Sequence, residues 1–181
     1  MSSRFQIIRQ RNLAYNDLAL TAMKEHKNAD ALIFLNRTID SEEALTKRPG
    51  STHKVDHRFY VNRGDCFMAM NETDLAMADF SVAYASAPHD WTVTSRLSTI
   101  HYNVGASLFN KGDFAGAEVE LSIAIKQNPK IAKYFACRGQ AAYYQHKFDA
   151  ACLDFQSALR LDPTPCSRCQ WCLNYWSNIT Q

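Results

Sequence analysis

Three cysteines crowd the end of the chain, in Cys166-Ser-Arg-Cys169-Gln-Trp-Cys172. Thiolates at two-residue gaps can share a zinc ion or an iron–sulfur cluster, but both centres usually need four ligands. No fourth cysteine follows, and His146 or Cys152 could complete the set only if the chain folded back. A metal-binding regulatory module is the alternative this motif would support. The plainer reading is the start of a covering helix, with Trp171, Tyr175 and Trp176 laid over the preceding structure. No metal or cofactor is therefore expected.

The other groups capable of chemistry are scattered. There is no nucleophile motif, no phosphate-binding loop and no paired-carboxylate site, so no catalysis is expected. His101 and His146 fall at ordinary positions of helical patterns, which points to structural roles. Glu42-Glu43 and the Glu118/Glu120 pair read as solvated helix faces. Arg63 and Arg138 each precede a glycine and are expected to lay their stems over the core with their heads in water.

Bulk properties narrow the classes further. The 181 residues are 46% hydrophobic and 21% charged, a globular composition. Twenty basic and eighteen acidic residues give a net charge of +2, which provides no push toward nucleic acid or membrane. The N-terminal stretch MSSRFQIIRQRN lacks the apolar run of a secretion signal, so reduced thiols and a cytoplasmic location are the expectation. No small-molecule substrate is implied.

The elements that position these residues come from an internal repeat. Gly64, Gly105 and Gly139 are each followed twelve residues on by an alanine: Ala76, Ala117 and Ala151. Then come Phe80, Leu121 and Phe155, next Ala83, Ala124 and Ala158, and last Pro88, Pro129 and Pro163. The last two copies follow each other at 34 residues. A weaker copy precedes them, with Ala19 in the glycine place, Ala31 and Leu35 in register, and Thr38 in the later alanine place. Small residues let paired helices approach closely, and the prolines end each second helix. Gly112, Asn71, His26 and His146 mark the turns within pairs. First helices are predicted at about 12–25, 57–70, 91–111 and 132–145, and second helices at about 28–42, 73–86, 114–127 and 148–161.

This 34-residue pattern resembles the tetratricopeptide repeat. The family's places are held by His101, Val104-Gly105, Leu108, Ala117, Leu121, Ala124 and Pro129, and again by Phe135, Arg138-Gly139, Ala142, Ala151, Phe155, Ala158 and Pro163. The resemblance covers roughly 12–165 and implies an all-α, right-handed superhelical solenoid of four helix-turn-helix pairs. The repeats fall at about 12–45, 57–90, 98–131 and 132–165 of a domain spanning 1–165, and 166–181 form a tail or partial cap. Insertions fall at about 43–56 and 91–97. The first reads as a surface loop, from Lys47-Arg48-Pro49-Gly50-Ser51-Thr52; the second, about two helical turns, reads as a lengthened helix capped by Asp90. The short aromatic tail is also what a fragment or isoform of a longer protein would show.

Such a family implies a non-catalytic scaffold or adaptor that binds a peptide or helix of a partner protein against its first helices. Helical spacing puts Arg58, Val61, Asn62, Asp65 and Met68 on one face, followed by Thr99, Tyr102, Asn103, Ala106 and Phe109, then by Lys133, Ala136, Cys137, Gln140, Tyr143 and Tyr144. We single out Arg58, Asn62, Tyr102, Asn103, Phe109, Lys133, Gln140 and Tyr144 as partner contacts. Aromatics give contact area, and amides can hydrogen-bond a peptide backbone. Tyr102, Phe109 and Tyr143 are equally suited to packing between repeats, and the two asparagines to plain solvation. A further alternative is the carboxylate clamp with which some members bind Hsp70 or Hsp90 tails. Only Asn103 and Lys133 match it over repeats two to four, where Val61, Asp65 and Cys137 hold the other places; one frame earlier only Asn62 matches.

Overall fold

The computed structural model describes residues 3–163. The Cys166, Cys169 and Cys172 motif and the tail aromatics lie outside the described residues. Eight helices account for nearly all of the rest, and no strand occurs among the described residues. They are α1 (Ser3–Lys24), α2 (Asn28–Thr46), α3 (His57–Ala69), α4 (Thr73–Ser86), α5 (Trp91–Asn110), α6 (Phe114–Gln127), α7 (Ala132–Tyr144) and α8 (Phe148–Leu161). The chain forms two compact units that divide after Val93.

Each helix pair closes through the same backbone device. His26, Asn71, Gly112 and His146 take φ of 59°, 63°, 84° and 60°. The next residue then donates its N–H five residues back: Lys27 to Ala22, Glu72 to Phe67, Asp113 to Leu108 and Lys147 to Ala142, at 2.9–3.0 Å. This left-handed closure satisfies the last carbonyls of the first helix and reverses the chain. Carboxylates start three helices. Asp56 accepts from the Arg58 N–H, Asp90 from Thr92 and Asp113 from Gly116.

The small-residue positions do what their size suggests. In the first unit Ala19, Ala22, Ala31, Leu35 and Cys66 form one buried cluster. Burial pushes the Cys66 thiol up to about 11, so it sits there as a protonated apolar group. In the second unit Ala117 and Leu121 pack with Ala141, while Ala142, Ala151, Cys152 and Phe155 close the last pair. Gly64 lies so near Phe80 that an added Cβ would come within 2.5 Å of the ring.

Both insertions have structural roles. Seven extra residues lengthen α5, with Val93 and Leu97 buried, as the two-turn arithmetic predicts. The first insertion is only partly a loop, because α2 runs on to Thr46. It also has a partner that sequence reading missed: α1 begins at Ser3, nine residues earlier than predicted. Next to the added turns of the two helices, Arg11 donates to Ser41 at 3.0 Å and Asn12 to Glu42 at 2.6 Å. His53 in the loop reaches the other Glu42 oxygen at 2.6 Å and meets Phe5 edge-on.

Two expectations about charged groups need correction. Glu42 is buried, with 3% exposure, and Glu43 accepts from the Tyr60 hydroxyl at 2.9 Å, so this pair is no solvated face. Glu118 and Glu120 are engaged as well, with Lys147 and His101 respectively, which gives His101 its structural role. The Arg63 and Arg138 heads are not left to water either. Arg63 makes a two-point pair with Asp79 at 2.7 and 2.8 Å, and Arg138 makes the same pair with Asp154. Both aspartates are buried, and these carboxylates raise the affinity of both guanidinia for their protons.

Candidate functional site

In the first unit the candidate surface is built by α1 and α3. Leu13, Asn16, Asp17 and Leu20 come from one helix, and Arg58, Val61 and Asn62 from the other. Together they line a depression of about 460 Å3. Asn62 is half-buried and donates to the Asn16 oxygen at 2.7 Å, which joins the two amides across the helices. Val61 is buried and acts as floor. Arg58 is exposed but not free, because its guanidinium folds back on Asp56. That contact is the main reason the Asp56 carboxyl is held below the usual range.

Beside this depression lies a cavity of about 550 Å3, lined by Phe5, Arg9, Leu13 and Glu42 with residues of the 53–59 stretch. Leu13, His57, Arg58 and Phe59 line both. Sequence reading missed this second space. Arg9 lies on the unforeseen part of α1, and Lys54 on the insertion.

In the second unit the candidates divide. Tyr102 packs on Tyr134, with ring centres 5.1 Å apart, and its hydroxyl takes a contact from the Cys137 thiol at 3.8 Å. Burial pushes that phenol up to about 12. Lys133, itself exposed, holds its ammonium 4.4 Å from the Tyr102 ring centre. Phe109, Phe114 and Tyr144 form an aromatic cluster, with Phe114 and Tyr144 stacked at 4.9 Å. Tyr102 and Phe109 thus pack within the unit, as one of the two sequence readings allowed. Asn103 is exposed, Gln140 half-buried, and Tyr144 44% exposed. Among the described residues no group of three or more His, Cys, Asp or Glu could hold a metal ion. No helix among them is long and apolar enough to cross a membrane.

The repeat spacing, the left-handed closures and the glycine-to-aromatic contacts define a helix-pair repeat, and comparison with known proteins identifies it. The tetratricopeptide-repeat family profile matches residues 132–165. Residues 132–165 thus carry a tetratricopeptide repeat. It is 27% identical over 158 residues to human tetratricopeptide repeat protein 16, and equally so to the mouse protein. That match covers 87% of this chain but 17% and 19% of those relatives, so the chain spans under a fifth of their length. Among solved structures, a tetratricopeptide repeat protein from Parabacteroides merdae superposes with a TM-score of 0.63 at 13% identity, covering 90% of this chain and 57% of that one. MamA from Desulfovibrio magneticus gives 0.56 at 16% identity, over 84% and 76%. These likenesses show the tetratricopeptide-repeat solenoid fold. Repeat solenoids of this kind present extended binding surfaces.

Proposed function

We propose that this tetratricopeptide-repeat chain is a non-catalytic protein-interaction scaffold that takes an extended peptide or a helix of a partner protein against its first helices. One observation carries the reading: in the first unit, α1 and α3 leave an open depression of about 460 Å3 lined by amides, carboxylate, cation and aliphatic side chains. Such a mixed lining suits a peptide, whose backbone needs donors and acceptors and whose side chains need apolar contact. The Asn16–Asn62 pair offers the amides, and its single mutual bond leaves the Asn16 N–H groups and the Asn62 oxygen for a peptide backbone. In the second unit Asn103, Lys133 and Tyr144 supply the exposed part of the corresponding face, and Tyr102, Phe109 and Gln140 back it.

The test is affinity capture with the full chain, repeated with Asn62→Ala plus Asn103→Ala. A partner whose recovery falls several-fold supports the reading. Recovery unchanged by both substitutions, and by an added Lys133→Ala, would remove it. Only Asn103 and Lys133 fit the chaperone-tail clamp, and Asn62 is already bonded to Asn16. No saturable binding of a peptide ending in EEVD is therefore expected.

A further inference from the structure

The cavity beside the candidate groove carries a charge imbalance that its own residues do not resolve. Its carboxylates are engaged: Glu42 meets Asn12 and His53 at 2.6 Å each, and Asp56 holds Arg58. Arg9 and Lys54 line the same space with no carboxylate partner among the described residues. They come from different elements, the early turns of α1 and the insertion loop. The apolar part of the lining is Phe5, Leu13 and Phe59, and Leu13 is 43% exposed. Four residues, Leu13 among them, also line the groove, so a segment lying there can continue into this cavity.

Resting on the scaffold reading above, we propose that the partner segment is acidic at this end. An Asp or Glu side chain is placed against Arg9 and Lys54, and a neighbouring apolar side chain against Leu13 and Phe5. The physical basis is charge complementarity. Two cations at the mouth of a cavity whose anions are spoken for attract a carboxylate, and disfavour a basic segment by like-charge repulsion. The site is separate from the repeat positions of the chaperone-tail clamp, since neither Arg9 nor Lys54 occupies one of them. His53 ties Lys54 to the fold, because its bond to buried Glu42 anchors the loop.

The probe is a displayed library of random dodecapeptides, selected on the full chain and on Arg9→Glu plus Lys54→Glu. Both side chains are exposed, so the double variant should keep its helical circular dichroism. The expected result is an Asp/Glu excess next to an apolar residue in peptides enriched by the native chain, lost with the double variant. A labelled peptide from that pool should bind the variant about tenfold or more weakly at low salt, the difference shrinking as salt is raised. Enriched peptides without an acid excess would overturn the inference and leave the groove reading standing. An acid excess that persists on the double variant would overturn it too, by sending the anion elsewhere. If no peptide is enriched at all, both readings fall.

Discussion

The three repeat glycines offer one perturbation in three surroundings. Replacing any of them by alanine adds a single methyl group and raises helix propensity by about 1 kcal/mol. Against that stands the space available. At Gly64 the new Cβ would lie 2.5, 2.8 and 2.9 Å from three atoms of the Phe80 ring, which is fully buried and has nowhere to go. At Gly105 the nearest atom is Leu121 Cγ at 2.9 Å. At Gly139 the nearest are the Ala151 carbonyl oxygen at 3.1 Å and Asp154 Cβ at 3.2 Å. Overpacking a filled core costs about 1–3 kcal/mol. Gly64→Ala should sit at the upper end of that range, for a net loss of about 2 kcal/mol after the propensity gain. Gly139→Ala should fall between about 0 and 1 kcal/mol, and Gly105→Ala between the two.

Urea unfolding followed by far-ultraviolet circular dichroism reads the order directly. For a chain of this size, about 2 kcal/mol corresponds to a melting shift of roughly 4–8 °C. A cycle with Phe80→Leu sharpens the test, because leucine removes the two nearest ring atoms. The double variant should then be more stable than the sum of the single losses by about 0.5 kcal/mol or more. Three equal losses, or a Gly64→Ala protein more stable than the native chain, would refute the close-approach account of these glycines.

Other predictions follow from the charged groups and the turns. Asp79→Ala should destabilise by about 2–3 kcal/mol, somewhat below the usual loss for breaking a buried pair because Arg63 can still reach water; Arg63→Leu with Asp79→Leu should recover most of it in urea unfolding. His26→Gly should stabilise by up to about 1 kcal/mol, since a non-glycine residue in the left-handed region carries a strain of roughly 1–2 kcal/mol that glycine's chain entropy partly offsets. His146→Gly should gain less, because it also loses the edge contact with Phe148 at 5.9 Å. Asp56 and Glu118 are held below their ordinary values of 3.8 and 4.5, chiefly by hydrogen bonds from Arg58 and Lys147. A depressed carboxyl contributes stability above its unfolded value and loses it as pH falls through the folded one. Thermal melts should therefore be level from neutral pH down to about 5 and decline below that, less steeply in Asp56→Asn, which keeps a helix-capping oxygen.

Much of the architecture was legible in the chain because tetratricopeptide repeats state it several times over. Helix ends from α3 onward fall within a residue or so of the spacing-based expectation, since small residues, turn residues and prolines recur in fixed register. The start of α1 was not legible. Its early residues bury little surface in a repeating pattern, and their partners lie thirty or more residues away, at Ser41, Glu42 and His53. The buried Arg–Asp pairs were hidden for a different reason. Arginine before glycine and aspartate before phenylalanine are each unremarkable alone, and only the shared separation of sixteen residues links Arg63 to Asp79 and Arg138 to Asp154. The third repeat, with Val104 and Glu120 in those places, breaks the pattern and turns its carboxylate to His101.

That substitution bears on where a ligand can bind. Along the tetratricopeptide repeats, six carboxylates are used to join parts of the chain: Asp79, Asp154, Glu42, Glu43, Glu118 and Glu120 all hold other side chains. On the scaffold reading proposed above, recognition falls to groups left with capacity. In the first unit these are Arg9 and Lys54 at the cavity, together with the Asn16–Asn62 pair, whose mutual bond can be exchanged for bonds to a peptide at little net loss. In the second unit they are Asn103 and Lys133, whose ammonium lies near the faces of Tyr102 and Tyr134. Apart from the exposed Asp17 of the depression, these are amides or cations. On that reading an incoming segment meets hydrogen-bonding groups for its backbone and, at the Arg9–Lys54 end, positive charge for its side chains, so an acidic segment should bind there in preference to a basic one and more weakly as salt is raised.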